Sequence, residues 1–172
     1  MRSRMADQPI ELVAHDPQWR DLFVQQQSRL TSILRPWLAG PIEHFGSTAV
    51  EDLRAKPIVD ILAPVRALAE AAAAIPALEA DGWLHWADDP KRSERLWFLR
   101  PRPEARTHHL HLIEDQNRIA SLLRFRDALR TDGKLRRDYE ALKLRLAEVH
   151  RFDREGYTEA KTQFIQRALL KN

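Results

Sequence analysis

Apolar side chains recur at helical spacing near the start of the chain. Recurrence at positions i, i+3 and i+4 is typical of an amphipathic helix with one face in the core. Asp16 followed by Pro17 fits a helix N-cap with proline at the first helical position. The pattern therefore predicts a helix from residue 16 to about residue 38, whose apolar face carries Trp19, Leu22, Phe23, Leu30, Ile33, Leu34 and Trp37.

Shorter apolar runs, separated by turn residues, predict the strands. Residues 42–45 form a short candidate strand, and residues 46–48 then turn into a short predicted helix around residues 49–54. Residues 56–65 are apolar on both faces apart from Asp60, which is typical of a strand covered on both sides. Further candidate strands are residues 83–86, 94–100 and 106–114.

The remaining periodic segments predict helices. Residues 67–80 are rich in alanine, and Pro76 must kink or interrupt a helix there. Strands and helices alternate early, whereas helices accumulate late, over residues 118–131, 134–150 and 157–170. We therefore predict an α+β (α/β-like) fold, a mixed β-sheet flanked by helices with a helical C-terminal subregion. Residues 1–9 are expected to be a flexible lead and residues 10–172 a single domain.

Composition places the chain among soluble globular proteins. It has 172 residues, of which 44% are hydrophobic and 31% charged. Because there is no cysteine, disulfides and thiolate chemistry are excluded, and any metal must bind oxygen or imidazole ligands. No apolar run reaches the length of a membrane span or a secretory signal. We therefore expect a cytoplasmic protein with no membrane partner.

The net charge of +3 is unevenly distributed. Residues 117–172 carry 14 Lys and Arg against 8 Asp and Glu, an excess of +6, whereas the preceding residues are net acidic. This basic excess is either a set of solvated helix faces or a wall for phosphate-bearing substrates. Base-reading motifs and interleaved stacking aromatic residues are absent, so no specific nucleic-acid partner is expected.

A glycine-serine turn and a buried acid are the first candidates for chemistry. Gly46 and Ser47 connect a strand to a helix, where backbone N–H groups and a hydroxyl can hold a phosphate, although an ordinary capped turn has the same sequence. Asp60 lies thirteen residues after Ser47 in an apolar strand. A carboxylate there is costly unless it is paired, hydrogen-bonded or bound to a cation.

Histidines supply the next candidates. On a strand over residues 107–113, His109 and His111 project to one face, and Leu110 and Leu112 to the core. Two imidazoles on one face could bind a divalent metal, act as acid and base, or belong to a neutral hydrogen-bond network.

Several spaced motifs resemble the GrpB family, also called UPF0157, over about residues 10–170. They are HFGSTAV at 44–50, LRAKPIVDI at 53–61, THHLHL at 107–112, FRD and LR at 125–130, Tyr139 with Leu142 and Lys143, and DRE through Lys161 to Ile165 at 153–165. That family resembles the nucleotidyltransferase superfamily, whose pattern is a Gly-Ser turn, an Asp-x-Asp or Asp-x-Glu pair, and a third carboxylate on a later strand. The resemblance implies a nucleotidyltransferase-like mixed sheet.

The superfamily pattern transfers only in part. Gly46 and Ser47 match the phosphate turn, and Asp60 matches the first carboxylate, but Leu62 stands where the second is expected. His109 and His111 take the place of the third carboxylate, and imidazole suits zinc, manganese or iron better than magnesium.

The resemblance implies a metal-dependent nucleotide-binding protein that transfers a nucleotidyl group to an unidentified small acceptor. Its cofactors would be a divalent metal (Mg, Mn or Zn) and a nucleoside triphosphate. The alternative is a non-catalytic ligand- or metal-binding module that keeps the fold, which Leu62 favours. The catalytic and metal candidates are Asp60, His109 and His111, and the phosphate or nucleotide candidates are Gly46, Ser47, Thr48, Lys56, Arg126, Arg130 and Lys143.

Overall fold

The computed structural model describes residues 9–171 of the chain. The predicted flexible lead lies outside these residues apart from Pro9. The strands are β1 (Glu43–Phe45), β2 (Val59–Pro64), β3 (Leu84–His85), β4 (Leu96–Arg100) and β5 (His108–Ile113). The helices are α1 (Gln18–Leu34), α2 (Leu68–Ala71), α3 (Ile75–Ala80), α4 (Gln116–Thr131), α5 (Gly133–Val149), α6 (Arg154–Glu159) and α7 (Thr162–Lys171), with 3-10 turns at Ser47–Ala49 and Ala72–Ala74.

The five strands form one mixed sheet in the order β1-β2-β5-β4-β3. Strands β2 and β5 pair in parallel, and the other pairs are antiparallel. In the parallel register Asp60 pairs with His109 and Leu62 with His111. The predicted mixed sheet with flanking helices is therefore confirmed, and its two central strands carry the candidate residues.

The two faces of the sheet pack against different helices. One face, with Ile61, Leu110 and Leu112, joins the apolar stripe of α1 and the α2–α3 segment in the main core. On the other face Leu62 and Ile113 pack against Phe45 and against Ile119 of α4. The alternation predicted for residues 109–112 is thus present, because successive side chains of a strand point to opposite faces. His109 and His111 lie on the face opposite the main core.

Some predicted boundaries differ from the structure. Helix α1 ends at Leu34 rather than near residue 38, because Pro36 follows and has no N–H to continue the ladder. The helix expected over residues 49–54 is absent: a 3-10 turn ends at Ala49, and Asp52 has a φ of 60° that no right-handed helix accommodates. Ala55 instead exchanges backbone hydrogen bonds with Val13.

Two further helices are interrupted. The alanine-rich segment divides into α2, a 3-10 turn and α3, with Pro76 in the first turn of α3, as the proline predicts. The single helix expected over residues 157–170 is two helices, α6 and α7, separated at Ala160 and Lys161. None of the helices in the described part of the chain is long and apolar enough to cross a membrane. The cytoplasmic location stays a prediction.

Candidate functional site

Strand pairing brings Asp60, His109 and His111 together. Asp60 Oδ1 lies 3.2 Å from His109 Nδ1 and 3.5 Å from His111 Nε2. Each residue offers one ligand atom to a group whose members all lie within 4.8 Å of one another. Ligand atoms of one ion with bonds of about 2.1 Å are roughly 3.0–3.6 Å apart, so both measured separations fit a shared cation. The structure thus brings together the three residues that the sequence suggested as metal candidates, and their metal binding stays a prediction.

Gly46 lies directly against the Asp60 carboxylate. Its φ is 73°, a region that L side chains rarely adopt, and a Cβ added there would lie 2.7 Å from Asp60 Oδ2. Glycine is therefore required at this position for two reasons: the positive φ of the turn, and the lack of space for a Cβ beside Asp60. The turn covers one side of the Asp60 carboxylate. Ser47 is the next residue of the same turn.

The three groups favour an ionised acid beside neutral imidazoles. Burial alone would raise the pKa of Asp60, but its interactions with His109 and His111 outweigh burial and hold that pKa below its ordinary value. Burial lowers the pKa of His109 to about 4, against the opposing effect of Asp60, and it also lowers the pKa of His111. Neutral imidazole with an ionised carboxylate is the protonation state that metal ligation needs.

The acid remains accessible to solvent while the histidines are largely covered. The Asp60 side chain is 28% exposed, against 11% for His109 and 10% for His111. Trp97 packs edge-on against His109, and Phe45 packs edge-on against His111. A cation can therefore reach the carboxylate from outside, while aromatic rings cover part of each imidazole. Shallow depressions elsewhere on α4 contain none of these residues.

Arg95 fixes the tautomer of His111. Its Nη1 donates to His111 Nδ1 at 3.1 Å, and arginine cannot accept a hydrogen bond. In the neutral ring the proton must then reside on Nε2, which faces Asp60. The Arg95 guanidinium is itself held by the buried Asp89, through contacts of 2.7 and 3.1 Å. Asp60 and His109 can thus bind a cation directly, whereas His111 can do so only when Arg95 withdraws.

We expect removal of this restraint to strengthen metal binding. The double variant Asp89→Asn/Arg95→Gln keeps the net charge and removes both members of a largely buried ion pair, so no unpaired charge remains. His111 Nδ1 can then carry the ring proton, which frees Nε2 as a ligand. Titration calorimetry with Zn²⁺ should show about fivefold or greater tightening relative to the unaltered protein. The matched control is Glu94→Gln/Arg118→Gln, which removes a more exposed ion pair, and equal affinities in both double variants would contradict the role given to Arg95.

Behind the glycine turn, Ser47 contacts a buried lysine. Lys143 Nζ of α5 donates to Ser47 Oγ at 3.1 Å and to the carbonyl of Arg54. Lys143 is only 1% exposed, and burial lowers its pKa to about 7. Tyr139, whose ring centre lies 5.1 Å from Lys143 Nζ, is buried, and burial raises its pKa. Two of the phosphate candidates, Ser47 and Lys143, are therefore in contact, next to the turn that covers Asp60.

Lys56 and Lys161 both lie over the Tyr157 ring. Lys56 Nζ is 5.1 Å and Lys161 Nζ 4.2 Å from the centre of the Tyr157 ring. Burial first, and then neighbouring positive charges, lower the pKa of Lys56 to about 8 and that of Lys161 to about 7. Sequence reasoning assigned no role to Lys161. Its position depends on the break between α6 and α7, which the sequence pattern does not show.

Three of the proposed phosphate ligands have other contacts. The Thr48 hydroxyl is buried and donates to Ile58 O at 3.2 Å while lying 3.0 Å from His44 Nε2. Arg126 pairs with Glu43 at 2.7 Å and also contacts Asp127. Arg130 donates twice to the Ala49 carbonyl, at 2.8 and 2.9 Å. These contacts hold the turn and α4 against β1, and the structure does not bring the three side chains to the Asp60 group.

The match to a family model decides the identity of the fold. The model described as GrpB protein matches residues 9–171. The chain belongs to the GrpB family. The family resemblance seen in the motifs is thereby confirmed.

Individual relatives agree with this assignment. A UPF0157 protein of Pseudomonas aeruginosa is 35% identical over 171 residues, covering 97% of this chain and 69% of the relative. Glutamate-rich protein GrpB of Alkalihalophilus pseudofirmus is 32% identical, covering 92% of each chain. UPF0157 protein YqkA of Bacillus subtilis is 29% identical, and this GrpB-family chain spans 46% of its length.

A solved structure supports the same architecture. The crystal structure of conserved protein GrpB from Enterococcus faecalis superposes with a TM-score of 0.81 at 28% sequence identity, covering 94% of this chain and 98% of that one. The mixed sheet and its flanking helices are therefore those of a GrpB protein.

Proposed function

We propose that this GrpB protein binds a nucleotide together with a divalent cation beside Asp60, at the surface between Asp60 and the Gly46–Ser47 turn, which we call the cleft. The observation that carries the proposal is the 3.2 Å spacing of Asp60 Oδ1 and His109 Nδ1, which suits two ligands of one ion. His111 Nε2, 3.5 Å from Asp60 Oδ1, would become a third ligand only when Arg95 withdraws from Nδ1. At neutral pH the lowered pKa values leave the acid ionised and both imidazoles neutral. Zinc and manganese suit this donor set better than magnesium does.

The phosphate groups of the nucleotide belong on the lysine side of the cleft in this proposal. Lys143 donates a hydrogen bond to Ser47, and Ser47 follows Gly46, which covers Asp60. Lys56 lies four residues before Asp60 in the chain. A cation bound at Asp60 would neutralise phosphate charge from one side while ammonium groups do so from the other. This arrangement, next to a Gly-Ser turn, is why we also assign the sheet to the nucleotidyltransferase-like superfamily.

Transfer of a nucleotidyl group to a small acceptor is the catalytic form of the proposal. The chain provides Asp60 to hold the cation and the lysines to orient the phosphates. It does not provide a second carboxylate on β2, because Leu62 is fully buried between Phe45, Ile113 and Ile119. That observation favours a second candidate function, a ligand- or metal-binding module that does not catalyse transfer.

Titration calorimetry tests the binding proposal, and product analysis separates its two forms. Each of the four ribonucleoside triphosphates is titrated with Mg²⁺, Mn²⁺ or Zn²⁺ and again with a chelator. We expect at least one triphosphate to bind more tightly with a cation than without it. Absence of metal-dependent binding in every combination, in folded protein, would contradict the proposal. Release of pyrophosphate in the presence of candidate acceptors would favour the transferase, and binding without release the non-catalytic module.

A further inference from the structure

Three lysines from three separate segments lie over the rings of Tyr139 and Tyr157. Lys56 precedes β2, Lys143 is in α5, and Lys161 lies between α6 and α7. We call them the lysine cluster. Lys56 and Lys161 lie over the Tyr157 ring, and Lys143 Nζ lies 5.1 Å from the centre of the Tyr139 ring. Besides burial, the positive charges of Lys56 and Lys143 each lower the pKa of Lys161.

The lysine cluster lacks a balancing acid. Within the part of the chain that the structure describes, no carboxylate lies within 4.0 Å of any of the three ammonium groups. The nearest acids that act on them are Asp60 and Glu140. Glu140 accepts a hydrogen bond from the Arg54 backbone at 2.6 Å, and Asp60 is occupied by the two histidines. Arg154 and Arg106 each lower the pKa of Lys56.

Burying several like charges without a counter-ion is unfavourable, and it marks the place where an anion would stabilise the protein. Lysine ammoniums bind phosphate oxygens through charge-assisted hydrogen bonds. The Ser47 hydroxyl beside Lys143 offers one more polar contact. A single phosphate beside Ser47 would meet Lys143, whereas Lys56 and Lys161 lie around a different ring, that of Tyr157. A ligand that contacts both places must therefore extend beyond a single phosphate.

We propose that the lysine cluster binds the polyphosphate part of the ligand, selects ligands with at least two linked phosphates, and does so without a metal. The inference rests on the proposed function in placing the ligand in the same cleft, and it names the chemical class that this cleft selects. Lys161 is a specificity-determining residue in this account. Its ammonium contacts the Tyr157 ring and makes no ion pair within the described residues, so replacing it leaves no described carboxylate without its partner.

The test uses inorganic anions and a chelator, so that metal binding plays no part. Orthophosphate, diphosphate and tripolyphosphate are titrated in EDTA into the full chain and into Lys161→Gln. We expect tripolyphosphate to bind at least about tenfold more tightly than orthophosphate, and Lys161→Gln to weaken it about tenfold. The matched control is Lys91→Gln, which removes the same charge from an exposed loop residue and should change the affinity less than about twofold.

A second variant and a second readout keep the outcome decisive. Lys56→Gln should weaken tripolyphosphate as Lys161→Gln does, and thermal unfolding confirms that each variant is folded. Equal weakening by Lys91→Gln, or equal affinity for orthophosphate and tripolyphosphate, would overturn the inference. Failure of tripolyphosphate to bind in EDTA, with Mn²⁺ binding intact, would overturn the inference alone. Loss of Mn²⁺ binding with tripolyphosphate binding intact would contradict only the metal centre.

Discussion

Asp60→Asn is expected to weaken Zn²⁺ or Mn²⁺ binding about 100-fold or more. Asp60 Oδ1 is the atom that both histidine nitrogens approach, so it is common to every metal geometry that the group allows. The amide keeps the shape of the side chain but removes the negative charge that attracts a cation. Replacing a residue that only supports a ligand commonly costs about 10- to 100-fold in affinity, and the loss of the ligand itself should cost at least as much. Titration calorimetry with each metal measures the change.

Stability provides the check that Asp60→Asn remains folded. The pKa of Asp60 is lower in the folded protein than in the unfolded chain, so its ionised form stabilises the fold above about pH 4, and that stabilisation is lost as the pH falls through the folded value. At neutral pH we expect the free energy of unfolding to fall by about 1–3 kcal/mol, with a cooperative transition retained. The matched control is Asp52→Asn. Asp52 is an exposed acid in the left-handed backbone region, and asparagine tolerates that conformation. Metal affinity unchanged by Asp60→Asn would contradict the assigned site.

The free energy of unfolding is expected to rise as the pH increases from about 7 to about 10. Burial lowers the pKa of Lys143 from 10.5 to about 7, so in this interval the unfolded chain binds more protons than the folded protein. Lys56 and Lys161, with pKa values lowered to about 8 and about 7, act in the same direction. Since one pKa unit corresponds to about 1.4 kcal/mol, the rise should reach about 2 kcal/mol or more. Urea unfolding at several pH values measures it.

Lys143→Met separates this effect from other titrations. The substituted side chain has a similar length and no charge, so the rise between pH 7 and pH 10 should become distinctly smaller. Lys91→Met is the control, because Lys91 is exposed and its loss should leave the slope unchanged. Above pH 10 the raised pKa of Tyr139 and of Tyr157 should make stability fall again in both proteins. An unaltered slope in Lys143→Met would show that Lys143 is charged at neutral pH in the folded protein.

The grouping of Asp60, His109 and His111 is predictable in part because all three lie on strands. A two-residue side-chain period determines which residues share a face, and this period alone places His109 and His111 on one side of their strand. Asp60 is conspicuous in the sequence because an unpaired acid in an apolar strand is costly. The parallel register of β2 and β5, which puts these residues side by side, depends on pairing between distant segments and has no signature in a single strand.

The rest of the site depends on contacts that sequence spacing does not define. Arg126 and Arg130 share a helix face, but spacing does not show that Glu43 and the Ala49 carbonyl meet that face. Arg95 reaches His111 only because Asp89 holds it there. Lys161 reaches Tyr157 because α6 ends at Glu159. No glycine or proline at this position indicates the end of the helix in the sequence.

A crystal structure of the protein soaked with Mn²⁺ and a slowly hydrolysed nucleoside triphosphate tests the central claim most directly. Anomalous scattering locates the ion independently of the ligand density. The account predicts one anomalous peak about 2.2 Å from Asp60 Oδ1 and from a ring nitrogen of His109, with phosphate oxygens between that peak and the ammonium groups of Lys56, Lys143 and Lys161. A triphosphate bound elsewhere, or saturating Mn²⁺ that leaves no peak at Asp60, would contradict it.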